Sequence, residues 1–317
     1  MTGGAGFIGS HLCERLLAKG KSVLVLDDLS TGRLDNLDAC RHRDGFRYEV
    51  GSVLDEALVR GLVNQCGAVF HLAAAVGVEN IIRQPVETIE TNVRGTENVL
   101  AAACSKGIRT FITSTSEVYG KSTDVPFVEA GDIVLGATSR SRWSYACSKA
   151  IDEFLALAYM KAKGLPVVIG RLFNTVGPRQ SGRYGMVLPR FLRQALSGDP
   201  ITVFGDGTQT RCFSLVHEVV ECMIALMNAE KATGLAVNIG STDEISIMQL
   251  AQRVRHLAGS VSEIVLVPYE EAYTKDFEDM QRRVPDVSRL MELTGTRPVA
   301  TVDEIVRATL GDGNKGN

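Results

Sequence analysis

The chain has 317 residues, 45% hydrophobic and 22% charged, which suits one large domain or two fused lobes of ordinary globular composition. Its 34 Lys plus Arg against 37 Asp plus Glu give a net charge of −3, and nucleic-acid or anionic-membrane binding needs a cationic excess instead. No apolar run approaches the ~20 residues that span a bilayer, and no signal-peptide pattern opens the chain. The seven cysteines form no CxxC pair and no ligand cluster with the five histidines, so neither a disulfide framework nor a metal centre is expected and a reducing cytoplasm fits.

In chain order, glycines fall at Gly3, Gly6 and Gly9 in TGGAGFIGSHL, ahead of a helical pattern over Ser10–Ala18. This spacing permits a tight turn, close backbone approach to a diphosphate and close helix-on-sheet packing. A helix starting near Phe7 and Ile8 would aim its amino end at the phosphates. The same glycines also fit a plain strand–helix loop. Lys21–Asp27 then forms a β-branched run ending in an acid. Asp27, with Asp28 beside it, lies ~20 residues on from the turn, where a carboxylate binds an adenosine ribose and repels a 2′-phosphate. That favours NAD over NADP. A doubly wound sheet places its central strand just before such a turn, yet the chain opens on it at Met1. The expectation is a first strand that is missing or truncated, a native start upstream of Met1, and neighbouring strands short of a partner.

Strand-like runs follow at Ala68–Leu72, Thr110–Ser114 and Pro166–Arg171, separated by helical patterns at Asp55–Val63, Glu90–Ser105 and Tyr145–Lys163. This alternation predicts an α/β fold, a Rossmann-type doubly wound parallel sheet covered on both faces. Beyond residue 171 the spacing loosens and Gly and Pro punctuate it, which predicts a smaller α/β substrate-binding lobe. The division expected is 1–171 for the NAD-binding part and 172–317 mainly for that lobe, with about 212–240 returning to the sheet. Tyr145 and Lys149, four apart, share a helix face. An ammonium beside the phenol would lower its pKa from ~10 towards neutrality, making a base for a sugar hydroxyl. A surface Tyr–Lys neighbour pair has the same spacing. Thr115 stands at a strand end, where sheet enzymes place catalytic hydroxyls.

TGGAGFIG at 2–9, Asp27, HLAA at 71–74, TSTSEVYG at 113–120, YACSK at 145–149, RLFNTVGPR at 171–179 and GDGTQTR at 205–211 together resemble the extended short-chain dehydrogenase/reductases that modify nucleotide sugars. The resemblance implies that Leu72, Ala73, Ala74, Val53 and Asn92 join the cofactor site. It also implies that Asn174, Arg190 and Arg211 hold a nucleoside diphosphate, where an arginine fork suits the oxygens. A surface salt bridge is the other reading of Arg190. Ser52 follows Gly51 where the family has an acid at the adenine.

Thr115-Ser116-Glu117 is similar to the UDP-glucuronate decarboxylases, whereas the sugar dehydratases carry an Asp-Glu pair and the hexose 4-epimerases small neutral residues there. Two further stretches resemble this subgroup. Ser141–Tyr145 implies a substrate contact for Arg142, and residues 277–286 imply an essential Arg283 and, at Phe277, a substrate contact where that subgroup has tyrosine. The implied activity is decarboxylation of UDP-glucuronate after oxidation at C4. A UDP-hexose or UDP-hexuronate 4-epimerase and a catalytically silent NAD-sensing protein stay open as alternatives. The family's four-helix bundle, built from helices 90–105 and 145–163, implies a homodimer.

Overall fold

The computed structural model describes residues 1–76, 84–182, 186–268, 280 and 282–313. In chain order the strands are β1 (Val23–Asp27), β2 (Phe46–Val50), β3 (Val69–His71), β4 (Thr110–Thr115), β5 (Val167–Leu172), β6 (Thr175–Val176), β7 (Ile201–Phe204), β8 (Thr210–Cys212), β9 (Ser214–Leu215), β10 (Ala236–Ile239), β11 (Glu244–Ser246), β12 (Ile264–Val267) and β13 (Arg282–Arg283). The helices are α1 (Phe7–Ala18), α2 (Asp38–Arg41), α3 (Glu56–Val63), α4 (Pro85–Lys106), α5 (Arg142–Lys163), α6 (Val187–Ser197), α7 (Val216–Asn228), α8 (Ile247–Leu257), α9 (Ser288–Thr294) and α10 (Val302–Gly313).

The main sheet is parallel. β1 pairs with β2, and β3, β4, β5 and β10 follow one another as neighbours. Between β1 and β3 lies the backbone of Met1–Gly3. Thr2 bridges Leu26 on one side and His71 on the other. Gly3 N–H donates to Leu26 O at 2.8 Å, and Thr2 N–H donates to Phe70 O at 3.0 Å. At this end, β1 and β3 share the Met1–Gly3 backbone as a neighbour through isolated bridges at Thr2. The central position is held by three residues that carry no strand pattern of their own.

Strand and helix patterns follow burial. Every residue of β5 and most of β4 are buried, because helices cover both faces. Period-two alternation splits their side chains between two cores. Phe111 and Val168 pack with Leu12 of α1 and with the apolar face of α7. Ile112, Val167 and Ile169 pack with α3, α4 and α5 through Val59, Val99, Leu100 and Ala156. Each such side chain contributes about 1.5–3 kcal/mol on burial. β2 offered no apolar run to read, because only its first residue is buried. A separate core joins α6, β7, α8 and α10 around Phe191, Ile201, Leu250 and Ile305.

Helix boundaries differ from the periodicity where a cap moves them. α4 starts at Pro85, suited to the first helical position, and stops at Gly107 with φ 65°. α5 starts at Arg142, three residues before the tyrosine, and stops at Gly164 with φ 72°. The carboxyl ends of β1, β3, β4 and β5 and the amino end of α1 therefore open on one edge, where an open α/β sheet binds ligands.

Candidate active site

A cleft of about 570 Å³ runs along that edge. Gly3, Gly6, Phe7, Ile8 and Gly9 form one wall. Gly3 has φ 71°, and a Cβ there would stand 2.6 Å from the Ala73 nitrogen. A Cβ on Gly9 would run into the Gly3 carbonyl oxygen. These two glycines thus let the turn, α1 and the β3 loop close on each other. The amino end of α1 has no side-chain cap and no acid in its first turn. Its N–H groups and positive dipole end are what a diphosphate needs, so the turn fits a dinucleotide.

Asp27 is buried and lines the cleft beside Asp28. Its carboxylate accepts from Ala5 N–H at 2.8 Å and Leu29 N–H at 2.9 Å, so it also holds the glycine turn. Burial pushes its carboxyl up, against these N–H groups. Val53, Leu72, Ala73 and Ala74 line the same end. Ser52 is not among the lining residues; its Oγ accepts from Leu54 N–H at 3.1 Å, and Gly51 and Val53 face the cleft instead. Asn92 also stands back. Its Oδ1 accepts from Ala75 N–H at 2.8 Å and its Nδ2 donates to Ser148 Oγ at 3.1 Å, which staples the β3 loop to α4 and α5.

At the other end, β4 delivers Thr115, the 3-10 turn that follows it (Ser116–Tyr119) delivers Ser116 and Glu117, and α5 delivers Arg142, Tyr145 and Lys149. Thr115 Oγ1 accepts from Glu117 N–H at 3.2 Å and hydrogen-bonds the Tyr145 phenol. Lys149 is buried on the cleft wall, and its Nζ donates to Asp152 Oδ2 at 2.7 Å. The expected lowering of the phenol by lysine is not found. Burial pushes Tyr145 up, and the carboxylates of Glu117 and Asp152 push it further, against the Thr115 bond and Arg283. Burial is the largest cause, and the Lys149 ammonium turns to Asp152.

Glu117 is the electrostatic centre. Arg283 Nη2 donates to its Oε1 at 2.6 Å, and Arg142 Nη2 to its Oε2 at 3.4 Å. Burial alone would push the carboxyl up. Arg283 and Arg142, with Arg211 behind them, overcome this and hold it at about 2. Arg211 pairs with Arg283 in the β8–β13 register, donates to Thr210 O at 2.7 Å, and is not among the lining residues. Asn174 lines the cleft with φ 26°, donates to Cys212 O at 2.9 Å and faces Arg283 at 3.4 Å. Ser116 Oγ is buried without a hydrogen-bond partner among the described residues.

Arg190 does not reach this wall. Its guanidinium lies 3.7 Å above the Phe204 ring and donates to Thr202 O at 3.1 Å, which ties α6 to β7. Phe277 lies outside the described residues. Sequence reasoning missed Thr88, Gln180 and Met186, which line the cleft from loops and helix ends without a motif of their own, and Thr175 of β6, which lies inside the quoted 171–179 stretch. It also missed Asp152, although three residues after Lys149 on a helix is a readable signal. No group of three or more His, Cys, Asp or Glu among the described residues is placed to hold a metal ion. No helix among them is long and apolar enough to cross a membrane.

Fold and cleft define an extended short-chain dehydrogenase/reductase: a parallel sheet with a glycine turn at its carboxyl edge and a Tyr–Lys helix facing a strand-end threonine. The profile of the GDP-mannose 4,6 dehydratase family matches residues 1–309, and the chain belongs to that family. It is similar to the UDP-N-acetyl-alpha-D-glucosaminuronate decarboxylase of Bacillus cytotoxicus, 44% identical over 315 residues that cover 98% of this chain and 95% of that protein. It is also similar to UDP-glucuronic acid decarboxylase 1 of Xenopus tropicalis, at 34% identity over 98% of this chain and 70% of that protein. Among solved structures, the UDP-glucose 4-epimerase of Thermus thermophilus in complex with NAD superposes with a TM-score of 0.84 at 29% identity, covering 100% of this chain and 98% of that one.

Proposed function

We propose that this chain is an NAD-dependent UDP-hexuronate decarboxylase that oxidises its substrate at C4, releases CO2 and reduces C4 again; with UDP-glucuronate the product is UDP-xylose. The observation that carries the reading is the Glu117 carboxylate, fixed between Arg283 and Arg142 and facing the Tyr145–Thr115 pair. A sugar dehydratase needs an acid at the position of Ser116, and a serine there donates no proton to a leaving hydroxyl. The decarboxylases of Bacillus cytotoxicus and Xenopus tropicalis support the same class, and their substrates differ only by the acetamido group at C2.

The glycine turn and the amino end of α1 would hold the diphosphate of the dinucleotide, Asp27 its adenosine ribose, and Tyr145 with Lys149 its nicotinamide end. Bound NAD would supply the two-electron acceptor for oxidation at C4 and the donor for its later reduction. Tyr145 accepts the C4 hydroxyl proton, helped by the Thr115 hydroxyl. The resulting ketone lies β to the C6 carboxylate. The C5–C6 bond then breaks, its electrons pass to the C4 oxygen as an enolate, and CO2 leaves. Thr115 and Tyr145 donate hydrogen bonds to that oxygen. Arg142 orients the departing carboxylate, and Glu117 disfavours its charged ground state. A water held by Arg283 protonates C5, and Tyr145 returns its proton to the C4 oxygen.

We read residues 1–171 as the dinucleotide-binding part and 172–317 mainly as the sugar-nucleotide lobe, with about 212–240 returning to the sheet. A homodimer in the cytoplasm fits this reading. Val86 and Ile89 on α4 and Ile151 and Phe154 on α5 are exposed, with Phe154 at 68%, and a second copy would cover them in a four-helix bundle. Light scattering of native protein and Phe154→Glu tests that arrangement. Mass analysis of products from UDP-glucuronate and its 2-acetamido counterpart tests the reaction. A loss of ~44 mass units, that of CO2, supports decarboxylation. An unchanged mass with inverted C4 supports the epimerase reading that the Thermus thermophilus relative favours.

A further inference from the structure

Behind the cleft wall a line of buried polar side chains runs from the sheet into α5. Thr2 Oγ1 meets His71 Nδ1 at 2.7 Å, and His71 Nε2 meets Thr96 Oγ1 at 3.0 Å. Burial pushes the Asp152 carboxyl up, against the Lys149 ammonium and, more weakly, the Thr96 hydroxyl, which favour its charged form. Asp152 is fully buried. Its Oδ2 takes the Lys149 ammonium at 2.7 Å, and its Oδ1 has no hydrogen-bond partner among the described residues. A carboxylate is costly there, since an apolar side chain would pack against the sheet without desolvation. Its presence calls for a task, and among the described residues its ion-pair partner is the lysine of the hydride-transfer site.

We propose that Asp152 is a positioning residue for Lys149: it supplies the counter-charge that keeps an ammonium inside the cleft wall. Lys149 is only 3% exposed, so without a carboxylate the free amine would be favoured over the ammonium. His71 does not compete for Asp152. Burial and the nearby Lys149 push it down to about 3, so it bonds as a neutral imidazole. The lysine and the carboxylate sit one turn apart on α5, whereas Thr96 and His71 belong to α4 and β3.

The consequence for turnover rests on the decarboxylase reading; the consequence for the lysine itself does not. Native protein, Asp152→Asn and Asp152→Glu are treated with acetic anhydride without cofactor or substrate, and acylation of each lysine is followed by peptide mass spectrometry. In Asp152→Asn, Lys149 is expected to react at least tenfold faster while Lys19 and Lys161 keep their rates, because the free amine is the nucleophile. Asp152→Glu keeps the charge and is expected to stay within twofold of native. In turnover, Asp152→Asn is expected to lose at least tenfold in kcat with KM for UDP-glucuronate within threefold. A Lys149 rate in Asp152→Asn within twofold of native overturns the proposal, as does an Asp152→Glu that reacts as fast as Asp152→Asn. If Asp152→Asn does not fold by circular dichroism, Asp152→Ser replaces it with the same expectations. A native protein inactive on UDP-glucuronate whose Lys149 still responds to Asp152 would sink the proposed reaction and leave this inference standing.

Discussion

Arg283 donates to Glu117 at 2.6 Å although 166 residues of chain separate them. The pair joins the end of β4 to β13, so the dinucleotide sheet and the strand that carries Arg283 meet in one ion pair. Replacing Glu117 with Gln removes the charge and keeps the shape. C4 oxidation, followed as absorbance of reduced cofactor, is expected to persist, while CO2 release slows by about 10²-fold, the range for loss of one electrostatic contact in a site. Equal loss in both steps would remove Glu117 from its assigned role.

The same carboxylate gives a pH signature. Its folded value of about 2 lies below the ordinary 4.5, so it contributes stability fully above 4.5 that is lost as pH falls towards 2. The size is on the order of 3 kcal/mol, because each tenfold change in proton affinity is worth about 1.4 kcal/mol. Thermal melts at pH 7 and pH 3 are expected to show a gap between native and Glu117→Gln that narrows in acid. A gap independent of pH would contradict the pairing.

Two glycines give opposite outcomes. Gly9→Ala puts a methyl into the Gly3 carbonyl, so the turn must open and dinucleotide binding is expected to vanish in calorimetry. Gly61 lies inside α3 with nothing within 4 Å of a Cβ, so Gly61→Ala is expected to stabilise by about 0.4–1 kcal/mol in denaturant melts. A destabilised Gly61→Ala would mean α3 is packed otherwise.

Arg171 and Glu153 form a buried pair, with Nη2 to Oε2 at 2.7 Å and Nε to Oε1 at 3.0 Å. The pair clamps α5 to β5 beneath the cleft. Arg171→Met alone is expected to cost about 3–5 kcal/mol, while Arg171→Met with Glu153→Leu is expected to recover most of it, since a buried charge without its partner carries the penalty. Melts of both proteins decide this; a double variant no better than the single one would contradict it.

Much of the fold was readable because β4 and β5 are buried on both faces and announce themselves as apolar runs, and because α4 and α5 keep helical period to a terminal glycine. β2 was silent since its side chains face outward, and the central position between β1 and β3 is held by Met1–Gly3, too short to show a pattern. In the site, spacing located Tyr145, Lys149, Asp27 and the glycines, because those roles need fixed offsets along one strand or helix. It misjudged Tyr145's electrostatics, which depend on Glu117 and Asp152 as placed in space. It also could not see that Arg190 turns to Phe204, as nothing in a linear pattern says which way a long side chain lies.

The central claim is that a ketone made at C4 drives loss of the neighbouring carboxylate. Stopped-flow absorbance at about 340 nm, run with NAD and UDP-glucuronate labelled at C6, tests it together with released labelled CO2. The expected result is a transient rise in reduced cofactor that decays as CO2 and a UDP-pentose appear in equal amounts. No absorbance transient, or a transient with all label retained in the nucleotide sugar, would contradict it.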